Sequence, residues 1–424
     1  MTDFNDFMLP EQVAEGHVLA TYLLYSEAKN GLKLVAGFAS EQTNGTWVEV
    51  PGGDEKLLAE HAGRVVSVQE IPSHETKGRD EERCFVAQIA YPWANFGPQL
   101  PMLLTTLFGN ISMFGKIKLL DIRIPAGLAR ALPGPRFGIS GVRELLGVSD
   151  RPLLNTMIKP SIGLTPQQGA DRLYQAALGG TDIIKDDEVL ADPEVSPFTD
   201  RLSAYLEKLE RAENETGEKK LYAVNATDEP ARCLEKAEAA VQAGAQAVMI
   251  NYLPSGLGLV SSLARDSRIN VPILGHLDFG GALYASPYHG ISSALLYGKL
   301  PRLAGIDLLT IPSPYGKFDL SLEKYLSIVV ALRHPMHSVK PTFPIIGGGI
   351  KPGDLPQLLE DVGCEFIIGA GGAIYGHPSG ARAGARAFRQ GIELLMQDGD
   401  FQHAKRFPEL QTALDKWGGG VAGG

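Results

Sequence analysis

Asp182-Ile183-Ile184-Lys185-Asp186-Asp187-Glu188 sets a short apolar run directly against a cluster of charge. A run this short, ending abruptly in polar residues, is the pattern of a strand buried on both faces. The pattern recurs along the second part of the chain. The runs are Leu153–Pro160, Asp182–Asp187, Leu221–Asn225, Ala247–Tyr252, Val271–Leu277, Asp307–Ser313, Phe343–Gly349 and Phe366–Gly372. Between most of them lie helix-length amphipathic stretches, among them Glu229–Ala243 and Asp354–Val362. Continuous apolar strands alternating with helices predict a parallel sheet covered by helices. Eight such strands predict closure into a (β/α)8 barrel of the TIM type, with an open doubly wound sheet as the rival arrangement.

Outward from the barrel, the chain changes character near Leu132-Pro133-Gly134-Pro135. Before that point strand-like segments (His17–Tyr25, Gly63–Glu70, Cys84–Tyr91 and residues 117–124) mix with a helix-like Leu100–Phe108. This order predicts a compact α+β domain over residues 1–135. The barrel then occupies 136–424, and its glycine-rich end from Gly418 to Gly424 reads as a disordered tail. The expected class is α/β.

Composition narrows the function. The 424 residues carry 44% hydrophobic and 21% charged side chains, as a soluble globular protein does. A formal net charge of −10 with no basic run argues against nucleic acid and anionic membranes as partners. Cys84, Cys233 and Cys364 are far apart and odd in number, which excludes a zinc spacing and makes a disulfide framework implausible. The acidic start, Met1-Thr2-Asp3-Phe4, lacks the basic and apolar pattern of a secretory signal, and no run of about 18 apolar residues occurs to span a membrane. A reducing, cytoplasmic location is expected.

Barrel enzymes work at the C-terminal ends of their strands, so residues ending the eight runs are the candidates. In the second run, period-2 alternation turns Lys185 and Asp187 to one side and Asp186 to the other, with Glu188 at the exit into the loop. Anionic oxygens clustered there suit a hard cation such as Mg2+. A plain solvated charge run is the bland alternative. Lys185 is the odd member, because an ammonium repels a metal. Either it forms a Schiff base with a carbonyl substrate or it is chemically altered into an anion, and burial favours both. Lys159 ends the first run, where it can move a proton beside a carbonyl or simply pair with an acid. Gly347-Gly348-Gly349 and Gly371-Gly372 end the seventh and eighth runs, where bare backbone amides can approach a phosphate. Lys317, in the glycine-containing loop after the sixth run, reads as part of a closing lid. His276 ends the fifth run in a catalytic or a hydrogen-bonded structural role, and His377 reads as structural.

Gly179-Gly180-Thr181-Asp182-Ile183-Ile184-Lys185-Asp186-Asp187-Glu188 closely resembles the metal-site signature of ribulose bisphosphate carboxylase (Rubisco). The resemblance extends over nearly the whole chain, through Glu41…Thr46-Trp47, Phe108-Gly109-Asn110, Lys159-Pro160 and the two glycine pairs. It implies an N-terminal α+β (ferredoxin-like) domain, a C-terminal barrel and a head-to-tail homodimer or an assembly of dimers. It implies that CO2 carbamylates Lys185, which with Asp187 and Glu188 then holds one Mg2+ per subunit. It further implies that Lys159 handles the proton on the substrate carbon. Gly348, Gly349, Gly371 and Gly372 would hold a phosphate, and Glu41, Thr46, Trp47 and Asn110 would reach the partner subunit's site.

The departures matter equally. Ser161 stands where a carboxylase has a second lysine, and Asp278-Phe279 stand where it has histidine and arginine. An anion and a phenyl ring in place of two cationic groups make the second phosphate of a bisphosphate unwelcome. The chain is therefore expected to be a Rubisco-like protein that enolises a sugar phosphate without fixing CO2. Ala285-Ser286-Pro287-Tyr288 and Leu414–Gly418 resemble the methionine-salvage enolase, whose branch has a lysine base at Asn110 and a serine at Lys317. Asn110 and Lys317 match the carboxylase pattern instead. They favour a decarboxylase or transcarboxylase/hydrolase of 3-oxo-isoapionate 4-phosphate. The alternative is a 2,3-diketo-5-methylthiopentyl-1-phosphate enolase or a 5-methylthioribulose-1-phosphate isomerase. A metal-free Schiff-base aldolase and a non-catalytic sugar-phosphate sensor are rivals from other classes.

Overall fold

The computed structural model describes residues 15–45, 55–72, 75 and 82–418. Thr46, Trp47 and the tail beyond Gly418 lie outside the described residues. Two compact units emerge: Met1–Pro133 with Phe279–Leu303 and Met336–Val339, and Gly134–Asp278 with Ala304–Pro335 and Lys340–Gly424. The expected division was a single cut at 135/136, whereas the two units alternate along the chain. Among the described residues no helix is long and apolar enough to cross a membrane.

The first unit is built on a mixed sheet. Its long strands are β1 (His17–Ser26), β2 (Arg64–Ile71), β3 (Arg83–Pro92) and β4 (Lys116–Arg123), and a fifth, β10 (Gly290-Ile291), joins the edge. The sheet order is β10-β4-β1-β3-β2, with β1 antiparallel to both neighbours and β10 parallel to β4. Alternation along β1 buries Val18, Ala20, Tyr22 and Leu24 on one face, as a half-buried strand should. The helix Leu100–Phe108 has the expected bounds. β10 was not among the expected strands.

The second unit is the predicted barrel. Its strands are β5 (Leu153–Met157), β6 (Ile183–Lys185), β7 (Leu221–Asn225), β8 (Ala247–Asn251), β9 (Ile273–His276), β11 (Leu308–Pro312), β12 (Phe343–Gly347) and β13 (Ile367–Gly369). They close in the order β5-β6-β7-β8-β9-β11-β12-β13, every pair parallel. Helices between them start where the sequence says they should. Thr165 and Gln168 form a capping box before Pro166–Leu178, with Pro166 at the first position, a cap worth about 1 kcal/mol.

In an eight-stranded barrel of this tilt, a residue one step beyond its paired neighbour on the next strand stands at the same height. The registers then stack the inward-facing side chains in rungs. Leu153, Leu221 and Phe343 lie at the bottom, against Ile139, Val142 and Leu146 of the helix Gly138–Leu146, which plugs that end. Ile183, Ala247, Leu308 and Ile367 follow. Next come Asn155, Ala223, Leu274 and Ile345, and then Lys185, Met249, Thr310 and Gly369. The interior thus passes from wholly apolar to polar as it approaches the strands' C-terminal ends, and every candidate residue of the barrel sits in this upper part or in the loops above it.

Candidate active site

Lys185 is the last residue of β6 and is fully buried. Its ammonium donates to the carbonyl of Asp186 at 2.9 Å and to Glu188 Oε2 at 3.4 Å, and lies 3.6 Å from Met249 Sδ. Burial pushes its pKa down, against the pull of Glu188 and Asp187. A buried lysine in this state gives up its proton more readily and exposes the nucleophilic amine. Burial alone would raise the pKa of Glu188, but the charges of Lys185 and His276 outweigh it and hold the carboxyl below its usual range.

Lys159 lies two residues past β5, and its ammonium donates to Asp187 Oδ2 at 2.5 Å and to Ser161 Oγ at 2.8 Å. Ser161 in turn donates to the same carboxylate oxygen at 2.9 Å. Lys159, Lys185, Asp187 and Glu188 therefore form one charged cluster. His276 joins it: its Nε2 is 3.4 Å from Glu188 Oε2 and its Nδ1 is 2.8 Å from Asp278 Oδ2. Phe279, next in the chain, is 64% exposed and left-handed at φ 68°, so no cation stands at either position after Leu277.

Asp186 faces away, as expected. It is fully buried and accepts hydrogen bonds from Arg201 Nε at 3.2 Å, Tyr222 OH at 2.8 Å and the Asn225 amide at 3.0 Å. The loop carrying Asp187 and Glu188 is fixed by two residues that sequence reasoning missed. Asn225 Nδ2 donates to the carbonyls of Asp187 (3.3 Å) and Glu188 (3.2 Å), and Asn251 Nδ2 donates to that of Glu188 (2.9 Å). Both asparagines end their strands and point into the barrel, which is the signal that could have found them.

These residues fit a divalent cation. Asp187 and Glu188 are hard oxygen donors, and the Lys185 amine, once carbamylated, would supply a third. Lys159 holds a positive charge against Asp187 Oδ2, and Glu188, His276 and Asp278 bring one potential ligand atom each within 4.8 Å of one another.

The glycine loops lie at the neighbouring strand ends. Gly348 and Gly349 have φ of 93° and 117°, backbone that side-chain-bearing residues rarely adopt. The Gly348 carbonyl accepts from the Lys317 amide at 2.7 Å, which ties the loop after β11 to the loop after β12. The Lys317 side chain is exposed, with its ammonium 5.0 Å from the centre of the Phe318 ring. Gly371 packs against the first cluster: a Cβ there would lie 2.5 Å from Met157 Sδ and 3.3 Å from Lys159 Cε. Gly372 is open on its outer side. Glu41 and Asn110 come together in the first unit, where Asn110 Nδ2 donates to Glu41 Oε1 at 3.2 Å. His377 is structural: its Nε2 meets the Glu409 carbonyl at 3.1 Å and its Nδ1 accepts from the Ser379 amide.

Comparison with known proteins agrees with this geometry. Residues 138–417 match the catalytic domain of the ribulose bisphosphate carboxylase large chain, and residues 6–128 match its N-terminal domain. A ribulose bisphosphate carboxylase-like protein of Archaeoglobus fulgidus is 46% identical over 93% of this chain and 91% of its own length. A 2,3-diketo-5-methylthiopentyl-1-phosphate enolase of Geobacillus thermodenitrificans is 41% identical over 95% of this chain and 98% of its own. The crystal structure of a rubisco-like protein (MtnW) from Alicyclobacillus acidocaldarius superposes with a TM-score of 0.88 at 38% identity, covering 95% of this chain and 100% of that one. The chain belongs to the ribulose bisphosphate carboxylase large-chain family, on its Rubisco-like branch near the methionine-salvage enolases.

Proposed function

We propose that this protein is a Mg2+-dependent enolase of a phosphorylated keto compound and that it does not carboxylate ribulose bisphosphate. The observation that carries the reading is the cluster of Lys159, Lys185, Asp187 and Glu188 at the end of β6, in a sequence that has Ser161, Asp278 and Phe279 where a carboxylase has cationic groups. When bound, the metal ion would polarise a substrate carbonyl. Lys159 is the proton carrier: its ammonium is anchored on Asp187 and Ser161, so its position is fixed whether or not it holds the extra proton. Backbone amides of Gly348, Gly349, Gly371 and Gly372 hold the single phosphate, and Lys317 closes over it. Free Cys84, Cys233 and Cys364 support a reducing, cytoplasmic setting.

The substrate assignment shifts from the first expectation. A substrate of apionate catabolism drew support only from Asn110 and Lys317, and none of the three relatives named above carries such an activity in its name. The enolase from Geobacillus thermodenitrificans makes 2,3-diketo-5-methylthiopentyl 1-phosphate the leading candidate. Asn110 cannot act as a base, so in this chain the proton falls to Lys159 rather than to a lysine at position 110. Purified protein with Mg2+ and bicarbonate should convert the diketo phosphate to its enol, followed by ultraviolet absorbance. It should fix no labelled CO2 onto ribulose bisphosphate. Labelled product at ordinary enzymatic rates, or turnover surviving EDTA with borohydride-trappable lysine, would overturn the reading.

A further inference from the structure

The third rung of the barrel holds one polar member. Ala223, Leu274 and Ile345 belong to the apolar cluster of the barrel interior, and Asn155 stands level with them. Asn155 is fully buried, and neither its Nδ2 nor its Oδ1 has a hydrogen-bond partner in the protein. One rung higher, the hydroxyl of Thr310 is equally buried and equally unpaired. A primary amide among three aliphatic side chains loses its hydrogen bonds to water with nothing in return. Native interiors almost always resolve such a loss by enclosing an ordered water, which itself needs two to four polar partners. Asn155 and Thr310 offer three unpaired polar atoms on successive rungs.

The neighbour of this site is Lys185. Lys185 shares the fourth rung with Thr310, and its ammonium lies 3.6 Å from Met249 Sδ of that same rung. The head of Lys185 therefore touches a side chain of the fourth rung. Its protein acceptors are the Asp186 carbonyl and Glu188, both on the loop side. Among the described residues no other protein oxygen accepts from it.

We infer that Asn155 and Thr310 hold one or two ordered waters on the barrel axis, and that this internal water is the axial hydrogen-bond partner of the Lys185 head group. Asn155 and Thr310 are thus positioning residues that act through water. Their effect on Lys185 as a CO2-modified residue rests on the proposed function; the hydration site itself does not.

Crystals of the full chain grown with Mg2+ and bicarbonate test the site directly. Solvent density is expected within about 2.7–3.2 Å of the Asn155 amide and the Thr310 hydroxyl. An amide surrounded only by carbon would overturn the inference. Asn155→Leu and Thr310→Val supply a sign test. A hydrated site makes both variants melt several degrees lower, because each leaves the water short of a partner. A dry site makes them melt unchanged or higher, because each removes an unpaired polar group. Should Asn155→Leu fail to fold, Thr310→Val gives the sign alone. The carbamate signal of Lys185 under 13CO2, read by NMR, should fall several-fold in the variants at fixed bicarbonate. Wild-type protein that shows the water but no carbamate signal would sink the proposed function and leave the hydration site standing.

Discussion

Asp186 and Asp187 are adjacent and chemically identical, yet they face opposite sides of the barrel wall. Asp186 is locked by Arg201, Tyr222 and the Asn225 amide, with Arg201 itself fully buried. Asp187 meets Lys159 and Ser161 at the strand mouth. Isosteric substitution should separate the two roles. Asp186→Asn removes the counter-charge from a buried guanidinium and should cost about 3–5 kcal/mol in urea unfolding, with little effect on Mg2+ affinity per folded molecule. Asp187→Asn should fold with near-wild-type stability and lose Mg2+-dependent turnover. The reverse pattern would exchange the roles assigned to them. The strand's alternation made this division legible before any coordinates, because Asp186 falls between Lys185 and Asp187 and so takes the opposite face. Asn225 and Asn251 were legible only as polar residues ending their strands, not in what they hold. Their targets are the Glu188 carbonyl, 37 and 63 residues away, and no spacing in the sequence encodes a side chain bonding to a distant backbone.

Eight apolar runs became eight strands, so the elements were readable in number and order. Their ends were less so. Leu153–Pro160 shrank to Leu153–Met157 and Asp182–Asp187 to Ile183–Lys185, because a strand ends where its ladder pairing with neighbouring strands ends, which its own side chains do not encode. The two-residue β10 has no period to detect. Asp307, just before β11, shows what holds such short elements in place. It is almost fully buried, and its carboxylate accepts the amides of Phe137 (2.6 Å), Gly138 (2.9 Å) and Ile273 (2.9 Å), joining the plug helix to β9 and β11. Burial outweighs these three bonds and raises its pKa to about 6. The folded state therefore holds this proton more tightly than the unfolded chain, whose value is near 3.8. The contribution is fully present below about pH 4 and is lost as pH rises through about 6, by roughly 3 kcal/mol for a shift of about two units. Asp307→Asn cannot titrate. The stability of wild type minus that of Asp307→Asn, from urea unfolding, should fall between pH 4 and 6 and stay flat above. A difference that rises over that window would show the three amides prevailing over burial.

At the scale of the molecule, the change of composition near Pro133 located the start of the barrel, but the return of Phe279–Leu303 and Met336–Val339 to the first unit was invisible. Those segments have the same apolar content as their barrel neighbours, so nothing in composition marks the crossing. The pair Glu41–Asn110 belongs to the first unit and the cluster around Lys185 to the second. The family resemblance implies, as a proposal for this chain, that the first pair would complete the partner subunit's site in a head-to-tail dimer. That arrangement predicts complementation. Asn110→Ala and Lys185→Ala should each be inactive as homodimers. Each mixed dimer from equal co-expression would pair one intact barrel with one intact Glu41–Asn110 arm, giving one working site out of two. Random pairing makes half of the dimers mixed, so about a quarter of wild-type turnover should return. Light scattering of the same preparations should give twice the chain mass. Dimers that recover no activity on mixing would mean that each chain completes its own site, and monomers of full activity would remove the partner from the chemistry altogether.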